Sequence, residues 1–249
     1  MSSILYEFPT NQQTRKFLRL EQSFRTVREL IDIEEYAAQR AALFRLMEIV
    51  DFFDRNDIRS ELLKELDRLQ QTMQVLADNP AVDSSKLTYF VNQLHKLGSA
   101  LNSEGRAGDI LKTDPFLTIV RQKWSLGGAL CSFDAPQLIQ FLGQGVTHTQ
   151  ERLRHWMDLI KVYKTSVGII LRLYRESGEY TQCITKNLSY QENIDTKIKL
   201  IAIKLPHNVE YVPEVSIGSH RLCLQLNPID GDKTKNDMEI QFSLAHYRA

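Results

Sequence analysis

The residues best suited to chemistry lie together in the stretch 120–136, VRQKWSLGGALCSFDAP. It carries two cations (Arg121 and Lys123), an indole (Trp124), the pair Gly127-Gly128 and a thiol (Cys131), with Phe133, Asp134 and Pro136 close behind. A cysteine nucleophile, a phosphate cradle or a binding surface could each use such a set. A cysteine enzyme needs its thiolate activated by a nearby base, and no motif links Cys131 to any of the six histidines, His95, His148, His155, His207, His220 and His246. A phosphate cradle needs glycines at Walker or dinucleotide spacing after a strand. Gly127-Gly128 has neither, and reads as a helix C-cap and turn. The histidines and the three cysteines (Cys131, Cys183 and Cys223) show no zinc spacing. Glu61 and Glu65, four apart beside Lys64 and Arg68, read as a solvated helix face. No catalytic residue, cofactor or metal is therefore expected, and Cys131 and Phe133 are expected to pack inside. The basic front edge of the stretch, Arg121 and Lys123, keeps a functional reading.

The elements that would position this stretch are mostly helical. Residues 4–8, ILYEF, read as a strand stopped by Pro9 that must pair with a distant partner. Thr10 to Gln13 has capping-box spacing. The helix that follows buries Phe17, Leu20, Phe24, Val27 and Leu30 or Ile31, with Arg15, Arg19, Arg25 and Arg28 on its other face and Lys16 beside them. Helices are expected over 34–53 and 57–77. In the second, Leu62, Leu66, Leu69, Met73 and Leu76 form a heptad seam. Asn79-Pro80 breaks it, and Asp83 caps a fourth helix that buries Leu87, Phe90, Val91, Leu94, Leu97 and Leu101. Asp114-Pro115 and Asp134-Ala135-Pro136 each read as a capping acid before an early proline.

A long helix is expected over 147–176. Its seam is Leu153, Trp156, Ile160, Tyr163, Val167, Ile170 and Tyr174, and its cations are Arg152, Arg154, Lys161, Lys164, Arg172 and Arg175. Either seam could pair subunits or pack inside a bundle. After Gly178 the period becomes two, with strands over 197–205, 221–226 and 238–244 and a weaker candidate over 180–190. The fold class is α+β. A helical, bundle-like domain (10–178) is followed by a small antiparallel β domain (179–249), which strand 4–8 joins.

The chain has 249 residues, 43% hydrophobic and 25% charged, with a formal net charge of zero. A neutral chain lacks the cationic excess that phosphate neutralisation demands of bulk nucleic-acid binders. Three scattered thiols, no secretory pattern in MSSILYEFPT and no long apolar run predict a soluble cytoplasmic protein without a membrane span. Three basic places remain: the first helix, the Arg121/Lys123 region and the helix 147–176. With zero net charge they suit a mixed-charge peptide better than nucleic acid. A nucleic-acid-associated role for the basic 147–176 helix is the alternative.

Several blocks stand out in order along the chain. They are Glu7-Phe-Pro-Thr-Asn11 with Arg15 and Leu18-Arg-Leu-Glu21, then RSELLKELDR at 59–68. Val120-Arg-Gln122, Gly127-Gly128 and Cys131-Ser-Phe-Asp134 with Pro136 follow. Leu171-Arg-Leu173 with Arg175 and Ser177, and Arg221 in the strand ending at Pro228, complete the set. In this order and spacing they resemble the ZapD family of bacterial cell division proteins, over nearly the whole chain. It implies a helical domain plus a β domain, a homodimer, and a non-enzymatic cytoplasmic protein recruited to the division ring at mid-cell. It further implies binding to the C-terminal tail of FtsZ and bundling of FtsZ protofilaments. On that basis Arg15, Arg19, Arg55, Arg121, Lys123 and Arg221 are the candidate tail-binding residues. Pro115 and Ile139 depart from the family pattern, standing where other members carry an arginine and a histidine.

Overall fold

The computed structural model describes residues 3–76, 83–124, 131–230 and 238–248. The turn signal Asn79-Pro80 and the pair Gly127-Gly128 lie outside them. The order of elements begins with β1 (Ser3–Pro9), α1 (Gln12–Ile31), α2 (Tyr36–Arg55), α3 (Ile58–Leu76) and α4 (Ser84–Ser103). Four further helices are α5 (Asp109–Lys112), α6 (Pro115–Trp124), α7 (Pro136–Gly143) and α8 (Val146–Leu159). After α9 (Lys161–Glu176) come β2 (Tyr180–Ile184), β3 (Ser189–Asn193), β4 (Ile198–Pro206), β5 (Tyr211–Ile217), β6 (Arg221–Pro228) and β7 (Gln241–Arg248). The fold is α+β, as the change of period at Gly178 predicts. Two compact units form, one of residues 1–18 with 171–249 and one of residues 19–170, so the division falls within α1 and α9.

In the first unit, β1 pairs antiparallel with β4, Ile4 opposite Leu205 and Phe8 opposite Ile201, so the N-terminal strand does join the C-terminal strands. The strands form two sheets, in the orders β1-β4-β7-β2 and β3-β6-β5. They share one core in which Ile201, Ile203, Phe242 and Leu244 of the larger sheet pack with Leu222, Leu224 and Leu226 of the smaller. Covered on both faces, β4 is a nearly continuous apolar run rather than an alternation. The weak strand signal over 180–190 resolves into β2 and β3, one in each sheet. At Gly178 a Cβ would lie 2.3 Å from the backbone oxygen of His246, so only glycine fits.

Motif residues hold this unit together. Glu7 accepts two hydrogen bonds from Arg175, Nε to Oε1 at 2.7 Å and a terminal nitrogen to Oε2 at 2.8 Å. This is a bidentate fork between β1 and α9. Ser177 Oγ donates to the Arg248 carbonyl and accepts from the Arg248 N–H, at 2.9 and 2.8 Å. The expected capping box is built differently: Asn11 Oδ1 caps α1 through the Thr14 N–H at 2.8 Å, and the Thr10 hydroxyl instead donates to the Ile198 carbonyl at 2.6 Å.

In the second unit, Leu20, Phe24, Val27 and Ile31 of α1 are buried as their spacing predicts. Two amide side chains cap the end of α1. Gln39 donates to the carbonyls of Ile31 and Ile33, and Gln150 donates to that of Ile31 at 2.7 Å. Asp114 caps α6 through the Phe116 and Leu117 N–H groups and also accepts from Trp156 Nε1 at 2.9 Å. Arg59 closes the end of α4 by donating to the carbonyls of Leu101 and Asn102, and Arg68 pairs with the buried Glu65. The block RSELLKELDR is thus a packing device, and Glu65 is buried rather than part of a solvated face.

Three expectations are corrected. The helix expected over 147–176 is two helices, because Ile160 (φ −111°, ψ 17°) leaves helical geometry while its carbonyl accepts from the Tyr163 and Lys164 N–H groups and starts α9. All seven seam residues from Leu153 to Tyr174 are buried within the chain, so this seam is internal packing. Cys131 and Phe133 are exposed, Phe133 at 82%. The Asp134 and Ala135 N–H groups both turn back to the Cys131 carbonyl, and Ala135 and Leu138 are buried there instead. Asp134 caps no helix: Ala135 takes that place, and the Asp134 carboxylate accepts from the Cys131 N–H.

Candidate functional site

The six candidate cations fall in both units, Arg15 and Arg221 in the first and Arg19, Arg55, Arg121 and Lys123 in the second. Arg15 and Arg221 are exposed, as are Arg19, Arg55 and Lys123. On α1 this follows from the buried stripe of Phe17, Leu20, Phe24 and Val27, which turns Arg15 and Arg19 outward. Arg55 ends α2, where a cation complements the helix dipole.

Arg121 differs. Its Nε donates to Asp51 at 2.9 Å, and a terminal nitrogen donates to Asp54, which also pairs with Lys112. Burial alone would raise the Asp54 carboxyl, but hydrogen bonds from Lys112 and Arg121 outweigh it and hold it below its ordinary value. The Asp54 hydrogen bond raises Lys112, and both aspartates raise Arg121 against the opposing effect of burial. Arg121 is a brace between α2 and α6. Its sequence neighbourhood suggested a surface cation because Asp51 and Asp54 lie some seventy residues away in the chain.

One feature of this face escapes sequence reasoning. The rings of Trp124 and Phe44 lie 4.5 Å apart at 48°, and the Arg40 guanidinium sits 5.3 Å from the Phe44 centroid. All three side chains are half-buried, and the exposed Lys123 is next to Trp124 in α6. The signal was the four-residue spacing of Arg40 and Phe44 on α2, which places them on one face. Such a patch offers flat apolar area and cation–π-capable charge together.

A groove of roughly 570 Å³ runs beside α6, α7 and α8, lined among others by Phe116, Gln140, Phe141, His148 and Arg152. Phe116 stacks parallel on Trp156 at 5.7 Å, and the Arg152 guanidinium lies 4.9 Å from the Trp156 ring while donating to Asp114. Pro115 and Ile139, the two departures from the family pattern, are exposed on α6 and α7. The basic face expected over 147–176 is largely neutralised: Arg152 pairs with Asp114, Arg154 with Asp32, Arg172 with Glu176 and Arg175 with Glu7. A nucleic-acid role loses its main support. No helix among the described residues is long and apolar enough to cross a membrane.

Comparison with known proteins matches the sequence of this chain to a family of cell division proteins. The family profile described as ZapD, a cell division protein, matches residues 18–225. The cell division protein ZapD of Yersinia enterocolitica is 31% identical over 244 residues, covering 98% of this chain and 97% of the relative. ZapD of Ralstonia nicotianae is 32% identical over 246 residues, at 97% and 98% coverage. ZapD of Escherichia coli is 29% identical over 244 residues, covering 98% of each. With the profile spanning most of its length and relatives matching it from end to end, the chain belongs to the ZapD family of cell division proteins.

Proposed function

We propose that this chain binds the C-terminal tail of FtsZ and, as a homodimer, cross-links FtsZ protofilaments at the division ring, a cytoplasmic role without catalysis. Family membership supports the division role. The observation that carries the binding mode is the Arg40–Phe44–Trp124 stack beside Lys123, together with the exposed Arg19 and Arg55. A short tail that is partly apolar and carries both charge signs would find aromatic surface for its apolar residues and exposed cations for its carboxylates. A two-fold dimer presents two such sites. Because a filament displays many tails, weak single contacts add through avidity.

The test is co-sedimentation with GTP-assembled FtsZ, with and without its tail. Bundling is expected only when the tail is present, and equal pelleting with tail-less filaments refutes the docking mode. The charge reversals Arg19→Glu and Lys123→Glu touch no ion pair among the described residues. Each is expected to weaken bundling several-fold at moderate salt while circular dichroism stays unchanged.

A further inference from the structure

Between α2, α5 and α6 lies a pocket of roughly 270 Å³ that no side chain among the described residues fills. Its floor is Met47 and Val50 of α2, Leu111 of α5 and Leu117 of α6, all buried. Lys112, Thr118, Arg121 and Gln122 complete the lining, and their greater exposure puts them at its mouth. Packed interiors keep few spaces larger than a water molecule, because atoms lining a space lose their dispersion partners. Water is a poor filling here, since an apolar floor gives it too few hydrogen bonds.

Size and chemistry limit the occupant. A cavity of about 150 Å³ with aliphatic walls takes a benzene ring, and sites for whole small molecules start at about 300 Å³. A volume between the two holds one large side chain and little more. No floor side chain carries a nitrogen or oxygen, and polar groups at the mouth are engaged within the chain. Lys112 pairs with Asp54 and Asp109, Arg121 pairs with Asp51 and Asp54, and the Thr118 hydroxyl donates to the Lys112 carbonyl at 2.8 Å. A phosphate, sugar or carboxylate entering the pocket would give up its water without gaining partners on the floor. An aliphatic side chain gives up nothing, and the flexible thioether of Met47 can mould to it.

Position supplies the bearer of that side chain. Met47 is three residues beyond Phe44 on α2, and Arg121 is three residues before Trp124 on α6, so the pocket lies beside the Phe44–Trp124 stack. At the helical rise, the wall from Met47 to Val50 stands about 5–9 Å along α2 from Phe44. Side chains two residues apart in an extended peptide share a face and lie about 7 Å apart. A peptide with one residue on the stack therefore presents its second neighbour to the pocket.

We infer that this pocket reads the bound peptide: it takes one large aliphatic side chain, two residues from the one that lies on the Phe44–Trp124 stack. The inference rests on the proposed function for the identity of that peptide, the FtsZ tail, and adds which feature of the tail is selected.

The test uses the full chain with isotope-labelled methyl groups. It is titrated separately with an FtsZ tail peptide and with isoamyl alcohol, an uncharged analogue of a leucine side chain. Each is expected to shift the methyl resonances of Met47, Val50 and Leu117. Val50→Phe fills the pocket with the chain's own atoms and is expected to weaken tail binding about 10-fold or more. Val50→Leu, which adds a single methylene, is read in the same way if the larger ring unfolds the chain. In an alanine scan of the tail, one aliphatic residue is expected to matter about 10-fold to the wild type and hardly at all to the filled variant. A tail that binds, weakens with Lys123→Glu, yet neither shifts the pocket methyls nor loses affinity for the filled variant overturns the pocket and leaves the functional proposal standing. A tail that does not bind the wild type overturns the functional proposal. The alcohol then decides the pocket alone, which stands if its methyls shift and falls if they do not. Pocket methyls that shift with protein concentration, without any ligand, assign the space to a second copy and overturn the inference.

Discussion

The Arg121→Ala variant separates a structural brace from a binding residue. The side chains of Arg121, Asp51 and Asp54 are 33%, 28% and 24% exposed, between the surface and buried limits. Breaking a surface pair costs at most about 1 kcal/mol, and breaking a buried one costs about 3–5 kcal/mol. Lys112 stays on Asp54, so only Asp51 loses its cation outright. A loss of about 2 kcal/mol follows, which lowers the melting temperature of a chain this size by about 6 °C. The pH dependence has a definite sign. A carboxyl held below its ordinary value in the folded chain contributes stability above its unfolded pKa, and that contribution disappears as pH falls through the folded value. The gap between wild type and variant is therefore full at neutral pH and closes as the medium is acidified below 3.8, the ordinary value for Asp54. Urea unfolding followed by circular dichroism, at pH 7 and along an acid series, measures both. Tail binding by the folded variant should fall little. An Arg121→Ala protein with the wild-type urea midpoint that no longer binds FtsZ would refute the brace and return Arg121 to the binding site.

Two other substitutions test the packing logic. Gly178→Ala should cost about 3 kcal/mol or more, since its methyl cannot fit 2.3 Å from the His246 oxygen; Gly98→Ala, with open space around it within α4, should instead raise the melting temperature slightly. Asp114→Ala removes a helix cap and the acceptor of both Trp156 Nε1 and Arg152, for about 3 kcal/mol together. It should also blunt the near-UV circular dichroism of Trp156, and an unchanged spectrum would show that Asp114 does not orient the indole.

Much of the fold was legible because periodicity reports burial directly. The α1 stripe, the Asp114 cap and the change to period two at Gly178 each follow from local spacing, and even the pairing of 4–8 with the C-terminal strands follows from a strand that lacks a local partner. The break at Ile160 was not legible. The step from Ile160 to Tyr163 keeps the seam in phase, so the apolar pattern continues across a backbone that does not. β5 was missed because Pro213 argues against a strand. It is tolerated there because β5 lies at the edge of its sheet, where one side of the backbone needs no ladder partner.

The candidate site was harder to read for a related reason. Whether a cation is available for binding depends on where the acids lie, and distant acids leave no mark on local spacing. Arg121 and Arg175 look alike in the sequence to Arg19 and Arg55, yet the first two close ion pairs across 67 and 168 residues. The shared blocks that carry the family resemblance divide accordingly. Glu7 with Arg175, Arg59 at the end of α4, Glu65 with Arg68, and Ser177 on β7 are all occupied in holding elements together. Residues so occupied cannot also grip a passing peptide without breaking the contacts that place them. Under the proposed function, recognition is assigned to side chains that make no ion pair among the described residues, Arg19, Arg55 and Lys123, and to the half-buried Phe44 and Trp124. Their loss should leave the fold intact while filament bundling fails.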